Sequence, residues 1–155
     1  MSSGATAAPT VAIWNYSRAS GYSLELMTSP DVVAAEPQLF VTDLERAIGF
    51  FVDKLGFEVA FTYGEPPFYG QVRRGGANLN LRKVAGPVYD SNFLATERDP
   101  LSAVVTVYKL GPLHEEYRVA GVDFHQPMQT EAWGSATFIV KDPDGNLILF
   151  SGAEI

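Results

Sequence analysis

The chain has 155 residues, 46% of them hydrophobic and 19% charged, a size and balance that suit one globular domain and exclude a fibrous or disordered chain. A formal net charge of −7 argues against nucleic acid and anionic membrane surfaces as partners, since both recruit clustered cations. With no cysteine, no apolar run near the ~18 residues that span a bilayer and no basic-then-apolar leader, the sequence reads as a cytoplasmic protein without disulfides or thiolate metal sites.

Residues 1–35 are rich in Ala, Ser, Thr and Gly, carry Trp14, Tyr16 and Tyr22, and hold no sustained period of 2 or 3.6. They read as an N-terminal extension. Two alternatives stay open: an added start, with Met27 a natural place for such a chain to begin, or an arm that docks on a partner subunit. The domain proper is expected over 36–155.

From Pro37 the pattern sharpens. Gln38 to Val41 is a short apolar strand, and Thr42-Asp43-Leu44-Glu45 predicts a capping box at a helix start. Leu44, Ala47, Ile48, Phe51 and Leu55 recur at three and four, and Gly56 supplies the stop. Phe57, Val59, Phe61 and Tyr63 then alternate with other residues as one face of a strand. Phe68–Arg73 and Ala77–Val84 follow as strands around the turn at Arg74-Gly75-Gly76. The mixed segment 85–100 reads as a linker or lid. Beyond it the plan recurs: a strand over Ser102–Tyr108, a helix over Leu110–Ala120 stopped by Gly121, a short strand Val122–Phe124, and strands Ala136–Lys141 and Leu147–Ser151 joined by Asp142-Pro143-Asp144-Gly145-Asn146. Val41, Leu44, Phe51 and Gly56 find counterparts in Val107, Leu110, Tyr117 and Gly121 within one residue. The expected class is therefore α+β, two tandem βαβββ modules over about 36–84 and 101–155.

Several segments together resemble one family: Val41-Thr42-Asp43-Leu44-Glu45-Arg46-Ala47 with Phe50-Phe51 and Leu55-Gly56-Phe57, then Ala120-Gly121-Val122, Ala132-Trp133-Gly134 and the Asp142–Asn146 turn. The chain is similar to the vicinal-oxygen-chelate superfamily (glyoxalases, bleomycin-resistance proteins and dioxygenases), and within it to the bleomycin-resistance-like branch. That resemblance implies curled mixed sheets around a cleft and a homodimer, with segment 85–100 the place where modules exchange between subunits.

Enzymes of this superfamily hold a divalent ion with His and Glu donors. The resemblance places those donors at Glu36, about Asn80, about Ser102 and Leu149 in this sequence, where Glu36 alone binds metal strongly and leucine offers no lone pair. The expectation is no metal cofactor, with Glu36 and His125 as weak candidates. His125 reads as a hydrogen-bonded histidine at a strand end, and His114, beside Glu115 and Glu116, as an exposed, solvated one. No nucleophile elbow and no phosphate-cradling glycine loop are present. Catalytic residues are not assigned.

Asn78, Asn80 and Arg82 give one face of their strand a polar character, and asparagine inside a strand needs a partner for its amide. Phe61, Phe68 and Trp133 correspond to positions where bleomycin-resistance proteins set rings against the flat tail of their ligand, and Tyr69 lies beside them. These seven residues are the expected ligand-binding set, with Trp133 foremost. Expected function is a non-catalytic protein that sequesters an aromatic or cationic small molecule such as a glycopeptide antibiotic. Its rival is a metal-dependent lyase, isomerase or dioxygenase with an atypical ligand set.

Overall fold

The computed structural model describes Val32 and residues 34–153. The chain divides into a unit over 1–35 and a unit over 36–155; the expectations placed on Trp14, Tyr16, Tyr22 and Met27 lie outside the described residues. In the larger unit, strand β1 (Gln38–Val41) leads to helix α1 (Leu44–Gly49), which continues as a π-helical turn over Phe50–Lys54, and to strands β2 (Glu58–Gly64), β3 (Pro67–Arg74) and β4 (Ala77–Lys83). A short helix α2 (Ser91–Thr96) crosses to β5 (Leu101–Val107), α3 (Leu110–Val119), β6 (Phe124–Thr130), β7 (Ala136–Lys141) and β8 (Leu147–Gly152). Both sheets have four strands, ordered β1-β4-β3-β2 and β5-β8-β7-β6, with one parallel pair (β1 with β4, β5 with β8) in an otherwise antiparallel ladder. The fold is thus α+β, two curled mixed sheets built from tandem βαβββ modules. Among the described residues no helix is long and apolar enough to cross a membrane.

One face of each sheet packs on helices, and the strand period of two decides which side chains go there. Leu39, Val41, Val72, Leu79 and Leu81 from the first sheet meet Leu44, Ala47 and Phe51 from α1. Ala103, Phe138, Val140, Ile148 and Phe150 from the second meet Leu110, Leu113 and Tyr117 from α3. All of them belong to one continuous core, so the modules share a helix-lined interior, and each fully buried Leu, Val, Ile or Phe there contributes about 1.5–3 kcal/mol. Both helices end against a left-handed glycine, Gly56 at φ +67° and Gly121 at φ +69°, the backbone region an L side chain resists.

Four sequence expectations change. The capping box gives way to a simpler cap: the Asp43 carboxylate accepts from the Arg46 amide at 3.0 Å, while Thr42 is drawn across to the second module. There its amide and hydroxyl donate to Asp144 Oδ1 at 3.1 and 2.5 Å. The strand at Val122–Phe124 starts later and runs to Thr130, hidden because two register shifts interrupt its alternation. Segment 85–100 contains α2, whose first turn is held by the Asp90 carboxylate accepting from Asn92 and Phe93 amides. Finally, His114 is half-buried: its ring lies 4.4 Å from Phe124 and 5.3 Å from Phe138 between centroids. It stands four residues after Leu110 and three before Tyr117, so helical spacing puts it on the buried stripe rather than in water.

The Asp142–Asn146 turn has a structural task. Asp142 Oδ1 accepts the amides of Asp144 and Asn146, and Asn146 Nδ2 donates to Asp142 Oδ2 and to the Phe40 carbonyl, both at 2.8 Å. Burial pushes the Asp142 carboxyl up, against the pull of those donors. A second tie joins the modules where Arg74 donates to both Glu116 oxygens at 2.7 and 2.8 Å and to the Leu55 carbonyl.

Candidate functional site: the open face of the first sheet

The face of the first sheet turned away from α1 carries the side chains that helix packing does not claim. Cross-strand register arranges them in rows. One row runs Gln38, Asn80, Gln71, Phe61, and the next runs Phe40, Arg82, Tyr69, Tyr63. Asn78, Arg73 and Glu58 make a third. Directly opposed residues in such rows stand close enough for their side chains to touch.

A bulge makes the aromatic part of this face possible. Val59 pairs with Val72 on the core side, yet Phe61 pairs with Gln71 on the open side, because the register slips by one residue at Ala60. The unbroken alternation expected from Phe57 to Tyr63 is therefore split: Phe57 is buried in the core, while Phe61 and Tyr63 point outward. Phe61 lies 6.1 Å from Tyr69 and Tyr63 lies 5.7 Å from Phe68 in an edge-to-face pair. Phe40, Phe61, Tyr63 and Phe68 keep 43%, 43%, 67% and 46% of their surface exposed, an apolar patch on a face that is otherwise hydrogen-bonded.

The polar part is pre-organised. Gln71 Nε2 donates to Glu36 Oε2 at 2.9 Å and to Asn80 Oδ1 at 3.0 Å, and Asn80 Nδ2 reaches the same Glu36 oxygen at 3.4 Å. Arg73 pairs with Glu58 at 2.8 Å. Arg82 is exposed and makes no ion pair among the described residues.

The structure therefore brings together Phe61, Tyr69, Asn78, Asn80 and Arg82 on one face, with Phe68 at the end of the β2–β3 hairpin. Trp133 is apart from them, in the β6–β7 turn of the other module, 73% exposed and without an aromatic neighbour among the described residues. Phe40, Tyr63, Gln38 and Gln71 complete the face and were not singled out from sequence. Parity was the available signal, since Phe40 is two residues from Gln38, and Gln71 two from Tyr69.

The positions where donors for a divalent ion would stand do not fit one. Glu36 has one oxygen taken by two amides. Ser102 Oγ is engaged by the Tyr89 hydroxyl at 2.5 Å and by Asn146 Oδ1 at 3.2 Å, and Leu149 has no donor atom. His125 Nε2 contacts Asp99 Oδ1 at 2.7 Å, with partners different from those of Glu36, and as the second residue of β6 it is the hydrogen-bonded histidine near a strand end that the sequence predicts. Among the described residues no three His, Asp or Glu side chains converge as a metal cluster.

Paired βαβββ modules with one open polar and aromatic face define the class. The profile of the Glyoxalase/Bleomycin resistance protein/Dioxygenase superfamily matches residues 23–150, and the chain belongs to that superfamily. Among solved structures, it is similar to the bleomycin-binding protein from bleomycin-producing Streptomyces verticillus complexed with copper(II)-bleomycin. The two share 28% identity over 81% of this chain and 100% of the other, with TM-score 0.64. A bleomycin-binding protein complexed with bleomycin is 18% identical over 79% and 100% of the two chains, TM-score 0.61. A lactoylglutathione lyase from Agrobacterium tumefaciens is 16% identical over 81% and 97%, TM-score 0.60. These last two establish the fold alone. No curated protein matches the sequence.

Proposed function

We propose that the protein is a metal-independent binding protein that sequesters an aromatic or cationic small molecule, a glycopeptide antibiotic being the concrete form, on the open face of its first sheet. The observation that carries this reading is the set of half-exposed rings, Phe40, Phe61, Tyr63 and Phe68, beside an interlocked amide lane. Rings left wet in this way gain on covering a flat ligand, about 0.5–1.5 kcal/mol per stacked pair beyond the area buried. A single sheet face is shallow, so the proposal includes a homodimer in which a second copy covers this face, with Trp133 as the candidate ring it would contribute. The similarity to a bleomycin-binding protein and the donor set unsuited to a metal both favour binding over catalysis.

Calorimetric titration with metal-free bleomycin and a few flat heteroaromatic cations tests the reading. Saturable heat in the micromolar range or tighter is expected for at least one; silence at high micromolar bleomycin removes the glycopeptide form. Light scattering after size exclusion checks the dimer.

A further inference from the structure

The charges on the open face are unequally matched. Arg73 is held by Glu58, and Glu36 receives the amides of Gln71 and Asn80, but Arg82 projects between two rings with no ionic partner among the described residues. Its cross-strand neighbours are Phe40 on one side and Tyr69 on the other, with Tyr63 beyond. A guanidinium is a planar fork that meets a carboxylate with two parallel hydrogen bonds, and the rings on the neighbouring strands offer a surface for the rest of such a ligand.

We infer that the ligand of this face is a planar aromatic acid, its ring laid on Phe40, Phe61 and Tyr63 and its carboxylate held by Arg82. The inference rests on the binding role proposed above, keeps its aromatic form and replaces the cationic one. The chain's overall charge of −7 draws cations from a distance, but that field is screened beyond roughly 8 Å at physiological salt. At contact distance the charge beside Phe40 and Tyr69 is the positive one of Arg82. Glu36 sits toward the other end of the face, so a second acidic group on the ligand is disfavoured while an N–H donor is accepted.

Three probes of one shape separate the possibilities: 2-naphthoate, 2-naphthalenemethanol and 2-naphthylmethylamine, titrated calorimetrically into the wild-type chain, Arg82→Gln and Lys83→Gln. Lys83 adjoins Arg82 but faces the opposite side of β4, so its substitution makes the same change in net charge off the site. The wild-type chain is expected to bind the acid about tenfold tighter than the alcohol or the amine. Arg82→Gln should lose about that factor for the acid alone, and Lys83→Gln should leave all three within about twofold. Equal binding of the three probes, a preference for the amine, or an acid preference that survives Arg82→Gln overturns the inference while leaving an aromatic-binding face in place. Failure of all three to bind overturns the inference, and the bleomycin titration then decides separately whether the binding role stands. The wild-type ranking decides even if Arg82→Gln does not fold.

Discussion

The two modules agree on one side of their sheets and part on the other. On the helix side, Leu44 and Leu110, Phe51 and Tyr117, Val72 and Val140, and Leu79 and Ile148 occupy equivalent buried places. On the open side, the row Gln38, Asn80, Gln71, Phe61 is answered in the second module by Val104, Leu149, Ile139, Gln126. Phe40, Arg82 and Tyr69 are answered by Thr106, Ser151 and Thr137. Ile139 and Thr137 are buried at 3% and 2%, whereas the rings of the first module stay largely exposed. Close packing constrains the helix side of both copies alike. The open side is packed in the second module and left exposed in the first, and that difference is why the first is the face proposed for a ligand.

The largest expected effect tests the packed side. Gly152 approaches β5 so closely that a Cβ would collide with the Val107 carbonyl oxygen. Gly152→Ala is expected to cost more than about 4 kcal/mol or to prevent folding. Lys83→Ala, at the equivalent place beside Val41 in the first module, should change stability by less than about 0.5 kcal/mol. Thermal unfolding of both variants measures this contrast.

Next comes the seam between modules. Asn146→Ala removes buried bonds to Phe40 and Asp142 and is expected to lose about 2–3 kcal/mol in urea unfolding. Asp142 then loses the Nδ2 donor that favours its charge, and the sign of its pH dependence follows. Its carboxyl is already raised by burial, so the charged form weakens the fold above that raised value, and stability is regained as pH falls toward the unfolded value. Asn146→Ala should enlarge this gain on acidification.

Glu116 behaves oppositely. The hydrogen bond from Arg74 leads the causes that hold its carboxyl below the ordinary range, so its contribution is present above the unfolded value and lost as pH falls through the folded one. The pair is partly exposed and screened, so Glu116→Gln is expected to cost under about 1 kcal/mol at neutral pH. The variant should unfold less steeply in acid than the parent. The smallest stability effect belongs to the open side: Arg82→Gln should leave the unfolding midpoint within about 0.5 kcal/mol of wild type, since nothing in the described core depends on it.

Much of this architecture is legible from spacing. Helix stripes, the Gly56 and Gly121 stops and the duplicated order follow from local chemistry that each module repeats. Three features escape it for physical reasons. Strand β6 breaks its own period with bulges and a proline, Thr42 chooses a carboxylate 102 residues away over its own helix, and His114 hides behind two charged neighbours although its spacing from Leu110 and Tyr117 places it inward. Of the candidate site, the polar strand Asn78–Arg82 is legible as a two-faced strand. Trp133 belongs to the second module by its place in the sequence, and the structure sets it in the β6–β7 turn rather than on the face of the first sheet.

The bulge at Ala60 gives the site an unusual vulnerability to changes of length. Side-chain direction along β2 is a parity count, and one supernumerary residue inverts the count halfway along the strand. Deleting Ala60 would remove the supernumerary residue and leave Phe61 opposite Gln71 and Tyr63 opposite Tyr69 on the open face, whereas deleting Thr62 would move Tyr63 to the α1 side without altering one functional side chain. A one-residue change of length in the regular part of β2 acts as a switch of wall chemistry, whereas one residue added in the turn at Gly75 and Gly76, where an added Cβ meets nothing within 4 Å, only lengthens a hairpin.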